Sequence, residues 1–347
     1  MNTIGHLYYW LFRAKPSGLL PLPPDDRDYN VGVFGWGDYT PKFTRREITT
    51  VSVKDQRSFN TCGWVSSLAG KEVDEQVVLN ERTTVTYAKK KGLLSSNGYS
   101  NLRDNQKVLA DFGAGEGDGT PTVDWDKYVS LDLNTVKDAA KHKSKTYWAV
   151  SSRGDIMKLL DDGRPVTAGM DWYTGFNQGG GFKAPWIISK PIGYKVGGHA
   201  VLIVGYDLDQ DVYIIQNSYS KQWGDKGRFY VKRAYLEGQI KAYGAYTNLD
   251  LEEKVVDILT QYFAQNVKGD KSPGIYYIYG GAKHAYPDED TWMSFDAEKD
   301  GFTVVPQADL DKVPEGEPMK KEAGQNWGLI QKIKKPFNWR DIFTNKR

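Results

Sequence analysis

Four residues of this chain are of types that could work together as a nucleophilic site. Cys62 is the only cysteine in the 347 residues, so it has no intramolecular disulfide partner. A lone thiol is either an apolar filler or a nucleophile, and a nucleophile needs a base, a group that orients the base, and a donor for the developing oxyanion. His199 is the candidate base; it follows Gly197-Gly198, small residues that would let another surface come close to the imidazole. Asn217 follows the apolar run VYIIQ, and its amide oxygen could accept from one ring nitrogen and so fix the tautomer. Gln56, six residues before Cys62, could donate its side-chain NH2 to an oxyanion together with the backbone N–H of Cys62. The bland readings are a buried inert thiol, a satisfied core histidine, an asparagine capping a turn with Ser218, and a surface glutamine. The other histidines, His6, His142 and His284, have no comparable setting.

These residues need elements to hold them. Val65, Leu68, Ala69, Val73 and Val77 recur at helical spacing, which predicts a helix starting near Cys62 with Asn60 and Thr61 available as caps. A helix N-terminus carries about half a positive charge and favours thiolate over thiol. Residues 101–112 and 153–163 read as further helices, the second stopped by Gly163-Arg164-Pro165. From there the chain turns β-rich, with strands expected at 165–172, 199–207, 212–219 and 227–233, and a shorter one at 49–55. A helix-leaning half followed by a strand-leaning half implies an α+β fold of two lobes with a cleft between them. The Gly- and aromatic-rich loop 174–185 and the first turn of the cysteine helix are expected to line that cleft.

Three separated stretches carry a resemblance. DQRSFNTCGW resembles the nucleophile segment of papain-like cysteine peptidases, GGHAVLIVGYD their histidine strand, and IIQNSYSKQWGDKGRFYVKR their asparagine segment with its Trp-Gly. His199 and Asn217 follow Cys62 by 137 and 155 residues, by subtraction of residue numbers, near the ~130–150 residues of the family pattern. LPPDDRDY, LRDNQKVLADFG and DIMKLLDDGRPV are similar to stretches of bacterial and viral members, so the likeness covers 22–250. It implies a helical lobe and a β-barrel-like lobe, a polypeptide or peptide substrate, and a Cys62–His199–Asn217 site with Gln56 as oxyanion donor. The departures are specific. Phe59 stands where most members have a disulfide-forming cysteine, Gly63 where they have Trp, and Tyr219 where a Trp shields the Asn; Arg57 and Asn60 replace glycines, Arg57 adding bulk and charge beside Gln56. The stretch ahead of the peptidase-like part is shorter than the family's usual inhibitory prosegment. These departures motivate an alternative, a structural or assembly protein, such as a virion component, that keeps the fold.

Outside that region, 1–21 reads as an N-terminal arm, extended where it is Pro-rich, and 251–273 as a helix (252–267) and a linker (268–274). Residues 274–318 read as a small β-containing module, similar to a short module of bacterial surface and phage-related proteins through GIYYIYGGAKHAYPDEDTWMSF and FTVVPQADLDKVPEGEPM. The tail 319–347, with eight Lys or Arg against two acids, reads as solvated or packed on a neighbour. The arm and the module are the candidate contacts for assembly partners.

Other classes of function are disfavoured. A net charge of +2 gives no nucleic-acid signature. GAGEGDG at 113–119 lacks the Gly-Lys-Ser/Thr of a phosphate loop. One Cys and four scattered His give no metal-ligand spacing, so neither metal nor cofactor is expected. Leu7–Phe12 is too short to span a bilayer and lacks the flanks of a signal peptide. With no disulfide, a cytoplasmic or virion-associated setting is expected.

Overall fold

The computed structural model describes residues 18–22, 31–34, 36–95, 98–117, 131–177, 182–248, 262, 265–279, 282–294, 301–313, 315 and 318–319. It divides into two compact units, Met1–Pro24 with Gly37–Asp250, and Asp25–Trp36 with Leu251–Arg347.

The first unit is organised around α1 (Cys62–Glu75), which is buried from Cys62 through Val73. A helix buried on all sides lies inside a fold, its buried charges paired (Lys71 with Glu75, Glu72 with Lys54), and this one has cores on two faces. Trp64 packs with Val85, Ala88, Val108, Phe112 and Ala139, and Leu68 with Leu79, Leu109 and Ala114. Most of these partners come from α2 (Glu81–Lys90), α3 (Leu102–Asp111) and α4 (Leu133–Lys141), each capped at its N-terminus by an Asn or Asp side chain, while Leu79 precedes α2 and Phe112 and Ala114 follow α3. Burying each large side chain contributes about 1.5–3 kcal/mol. On the opposite face Ala69 packs against Leu202, Val204 and Ile214 of the sheet. The small residues there set the spacing: Ser66 Oγ donates to the Ala200 carbonyl at 3.0 Å. The helix expected at 153–163 is α5 (Arg153–Asp161), started by a Ser152–Asp155 capping box, and α6 (Arg233–Tyr243) follows later in the chain.

The strands are β1 (Arg45–Glu47), β2 (Leu79–Asn80), β3 (Gly115–Glu116), β4 (Tyr147–Ala149), β5 (Val166–Tyr173), β6 (Ile187–Ile188), β7 (Lys195–Asp207), β8 (Val212–Gln216), β9 (Arg228–Lys232) and β10 (Ala245–Asn248). Eight of them form one sheet in the order β4-β10-β5-β7-β8-β9-β6, with β1 also on β7; β2 and β3 pair by themselves. The fold is thus mixed α and β, and the sheet is open rather than a closed barrel. β7, buried from Gly198 onward, carries His199 opposite Met170 of β5. β8 is buried along its whole length and delivers Asn217 at its end.

Two local expectations are corrected here. Residues 49–55 do not form a strand; they run as coil, and only Asp55 bridges to Tyr219. Thr61 takes the N-cap position of α1, but its side chain makes no capping bond, so the first turn keeps its amide donors for the sulfur of Cys62.

In the second unit a sheet runs β13-β12-β11-β14, built from β11 (Asn266–Gly269), β12 (Ile275–Tyr279), β13 (Ala282–Ala285) and β14 (Thr303–Val305). Val267, Ile278, Val305, Leu310 and Val313 form its interior. The helix expected at 252–267 and the linker expected at 268–274 are corrected where they are described: Asn266–Gly269 is a strand, antiparallel to β12 and parallel to β14. Pairing on both sides draws Lys268 and Gly269 into the strand, while 270–274 make the turn that leads to β12. Residues 251–261, the first seventeen of the arm and 320–347 of the tail lie outside the described residues.

Candidate active site

His199 and Asn217 meet directly. The Nε2 of His199 lies 2.8 Å from Asn217 Oδ1, and Ser218 N–H donates to the same Oδ1 at 2.8 Å. An atom that accepts from a backbone N–H is the oxygen of the amide, so His199 Nε2 is the donor and Nδ1 is the basic nitrogen. The imidazole packs in an aromatic corner, with Trp172 tilted against it at 4.5 Å between ring centroids, Tyr219 stacked at 5.0 Å, and the two aromatics edge to face with each other at 5.7 Å. Tyr219, in the place of the family's Trp, therefore still covers the ring. Trp223 packs against both Trp172 and Tyr219, as expected of a core aromatic.

Cys62 is the first residue of α1, and its side chain is wholly buried. Burial pushes its thiol above the ordinary value; the backbone N–H groups of Ala200, Gly18, Gly63 and Cys62 itself pull the other way without cancelling it. The Ala200 contact puts the sulfur beside the residue that follows His199. The hydroxyl of Tyr219 is also raised, by burial first and then by the charges of Cys62 and Asp55, which places it within electrostatic reach of the thiol.

Gln56 is buried, unlike a surface glutamine. Its Oε1 accepts from Ser218 Oγ in a short hydrogen bond, so its nitrogen is the opposite atom, and this donates to the Phe59 carbonyl at 2.7 Å. Backbone bonds from Gln56 N to Ser218 O (2.8 Å) and from Ser220 N to Lys54 O (3.0 Å) tie the glutamine turn to the asparagine segment. Ser218 therefore links Gln56 to Asn217. Sequence reasoning left it as a turn residue, and the only available signal was its place between Asn217 and Tyr219.

The substitutions settle into place. Arg57 has a left-handed backbone (φ 53°), the conformation a glycine takes freely, and its side chain is exposed instead of crowding Gln56. Its N–H donates to Asp55 Oδ1 at 2.9 Å, which offsets part of the strain. An added Cβ at Gly63 would stand 2.3 Å from Asn105 Nδ2, so the usual Trp would require the buried Asn105 side chain to move aside.

The segment Gly18–Leu22 was not foreseen at the site. Gly18 N–H donates to Cys62 Sγ at 3.3 Å. Leu19 N–H donates to the Gly198 carbonyl (3.0 Å), Ser100 N–H to the Gly18 carbonyl (3.1 Å), and Leu20 N–H to the Ser100 carbonyl (2.9 Å). Leu19 is thus antiparallel to Gly198 and parallel to Ser100. Its side chain is buried with Leu102, Ala200, Tyr243 and Tyr246. Gly198 allows this approach, because a Cβ there would meet Leu19 O at 2.5 Å. The thiol is covered by the chain's own backbone.

A chain with a cysteine at a helix start, a histidine on the facing strand and an asparagine fixing the imidazole has the layout of a thiol-hydrolase fold. The papain family cysteine protease model matches residues 42–247, and the chain belongs to that family. A cathepsin L-like proteinase of Fasciola hepatica is 25% identical over 199 residues, 54% of this chain and 58% of the relative. Cathepsin B-like CP3 of Giardia intestinalis is 35% identical over 81 residues, 22% of this chain and 26% of the relative. The matches thus span less than two thirds of either curated relative. Among solved structures, xylellain, a cysteine protease from Xylella fastidiosa, superposes with a TM-score of 0.55 at 22% identity, over 70% of this chain and 99% of that one. That likeness supports the fold. No described helix is long and apolar enough to cross a membrane.

Proposed function

We propose that the protein is a cysteine peptidase in which Cys62 is the nucleophile, His199 the acid–base, Asn217 the group that positions the imidazole, and Gln56 with the Cys62 N–H the oxyanion donors. The observation that carries this reading is the His199–Asn217 pair, which makes Nδ1 the basic nitrogen, together with a thiol that starts a helix and meets the backbone of Ala200, the residue after His199. Cys62 gives its proton to His199, and the thiolate attacks the carbonyl carbon of an amide. The C–N bond then breaks as His199 protonates the leaving amine, leaving a thioester on Cys62. Water attacks that thioester while His199 takes its proton; the C–S bond breaks, the thiolate returns, and a carboxylic acid leaves.

In this reading Gly18–Leu22 occupies the place of a substrate. An extended peptide would take over the backbone edges at Gly198 and Ser100, with an aliphatic side chain in the site that Leu19 fills. The covered state is a resting form, and cleavage requires the segment to leave. The alternative, a structural or assembly protein whose site is silent, is favoured by one observation, the complete burial of Cys62.

Cleavage of fluorogenic peptides with a small aliphatic residue before the scissile unit, assayed between pH 5 and 8, tests the two. Turnover by wild type or by Leu19→Asp that vanishes with Cys62→Ala supports the peptidase. No turnover in either form, with both folded, supports the silent domain.

A further inference from the structure

A second buried histidine, remote in sequence from the site above, sits among carboxylates. His142 follows α4 as its C-cap and is less than a tenth exposed. Its Nδ1 is held by Glu75 Oε2 in a short contact, and the other oxygen of Glu75 takes Lys71 Nζ at 2.6 Å, a wholly buried ammonium. That leaves Nε2 turned the other way. Glu116 Oε1 stands 3.3 Å from it, yet Nε2 makes no hydrogen bond. Asp138 is the third neighbour, and one ligand atom from each of Glu116, Asp138 and His142 lies within 4.8 Å of the others.

We infer that Glu116, Asp138 and His142 form a site for a divalent first-row transition ion, best suited to Zn2+. The donor set is one imidazole and two carboxylates, with a position left for water, a combination of borderline nitrogen and hard oxygen that suits zinc. Ligands about 2.0–2.2 Å from a tetrahedral ion lie about 3.3–3.6 Å apart, so atoms now within 4.8 Å of one another close on an ion with a shift of about 1–1.5 Å. Glu116, exposed on a long side chain, can supply it. Glu75 is the outer carboxylate that orients a metal-binding imidazole: by accepting from Nδ1–H it directs the Nε2 lone pair at the ion. Asp138 is already positioned, since its Oδ2 accepts from the Glu116 N–H at 3.0 Å. Lys141 Nζ, 3.1 Å from Asp138 Oδ1 but largely exposed, is free to swing away. A bound ion would tie β3, α4 and, through Glu75, the end of α1 together. It is a structural site and takes no part in peptide cleavage.

The test is calorimetric titration of the chelator-treated full chain with ZnCl2, in a Cys62→Ser background so that the cleft thiol cannot contribute. One equivalent of zinc should bind, the thermal midpoint should rise with zinc, and Asp138→Asn and Glu116→Gln should each weaken binding at least tenfold. Both changes leave the His142–Glu75 pair intact, and circular dichroism checks the fold. No saturable binding, or equal binding by the parent and both variants, overturns the inference.

Discussion

Two buried histidines are wired differently, and the contrast separates chemistry from architecture. His199 gives Nε2 to a neutral amide, Asn217, and packs against two aromatic rings, Trp172 and Tyr219. His142 gives Nδ1 to a carboxylate, Glu75, with two more carboxylates at its other nitrogen. An amide fixes the ring without adding charge, so the imidazole can trade a proton in either direction, as an acid–base must. A ring of carboxylates puts hard oxygen donors beside the second imidazole nitrogen, which suits a bound ion. Burial alone therefore does not separate the two; the partner of the far nitrogen does, and it is what supports the proposed acid–base role of His199.

The largest effect should come from breaking the wiring of His199. In a Leu19→Asp background, His199→Ala should lower kcat/KM for a peptide by about 10²–10⁴; a loss under tenfold would end its role as base. His142→Ala should act on stability instead. It leaves Glu75 without its imidazole partner, at a cost of about 1–3 kcal/mol, read as a lowered midpoint in urea unfolding.

Uncovering the thiol comes next. Burial raises the Cys62 thiol, so in the covered state it stays protonated at neutral pH, and alkylation should climb only above the ordinary thiol range. Leu19→Asp, a charge in the apolar site that Leu19 fills, is expected to expel Gly18–Leu22; it should then shift the iodoacetamide rate profile to lower pH and speed alkylation at pH 7 at least tenfold. Unchanged rates would mean that Gly18–Leu22 does not guard the sulfur.

Ser218→Ala removes the hydroxyl held by Gln56 Oε1 and should reduce kcat by roughly threefold to tenfold with KM little changed, since a freed glutamine misplaces its oxyanion donor. Arg57→Gly should move kcat/KM by less than about twofold, because the Arg57 side chain is exposed and its backbone already has the glycine-like conformation.

What could be read from the sequence follows from what is local. The helix at Cys62 and strands β5, β7, β8 and β9 have strong periodicity or long apolar runs, and the motifs around Cys62, His199 and Asn217 each lie on one such element. The cover over Cys62 was not legible because Leu19 is held by Gly198 and Ser100, residues far along the chain that the Pro-rich composition of the arm does not announce. β11 was missed for a similar reason: its pairing with β12 and β14 is tertiary, while KGDKSPG reads locally as a turn. Gln56 was legible as a candidate oxyanion donor from its place six residues before Cys62, but its burial and its bond from Ser218, 162 residues on, are tertiary. The grouping of Glu75, Glu116, Asp138 and His142 brings together α1, β3 and α4, and no linear spacing encodes it.

The central claim is that Cys62 and His199 act as a pair. The most direct measurement is labelling by a thiol-directed peptidyl epoxide, mapped by mass spectrometry in the Leu19→Asp chain and in the same chain carrying His199→Ala. The account predicts a single adduct on Cys62 that forms at least a hundredfold more slowly without His199, while Cys62→Ala takes no label. Equal labelling rates with and without His199, or an accessible Cys62 that reacts with iodoacetamide but never with the epoxide, would contradict it.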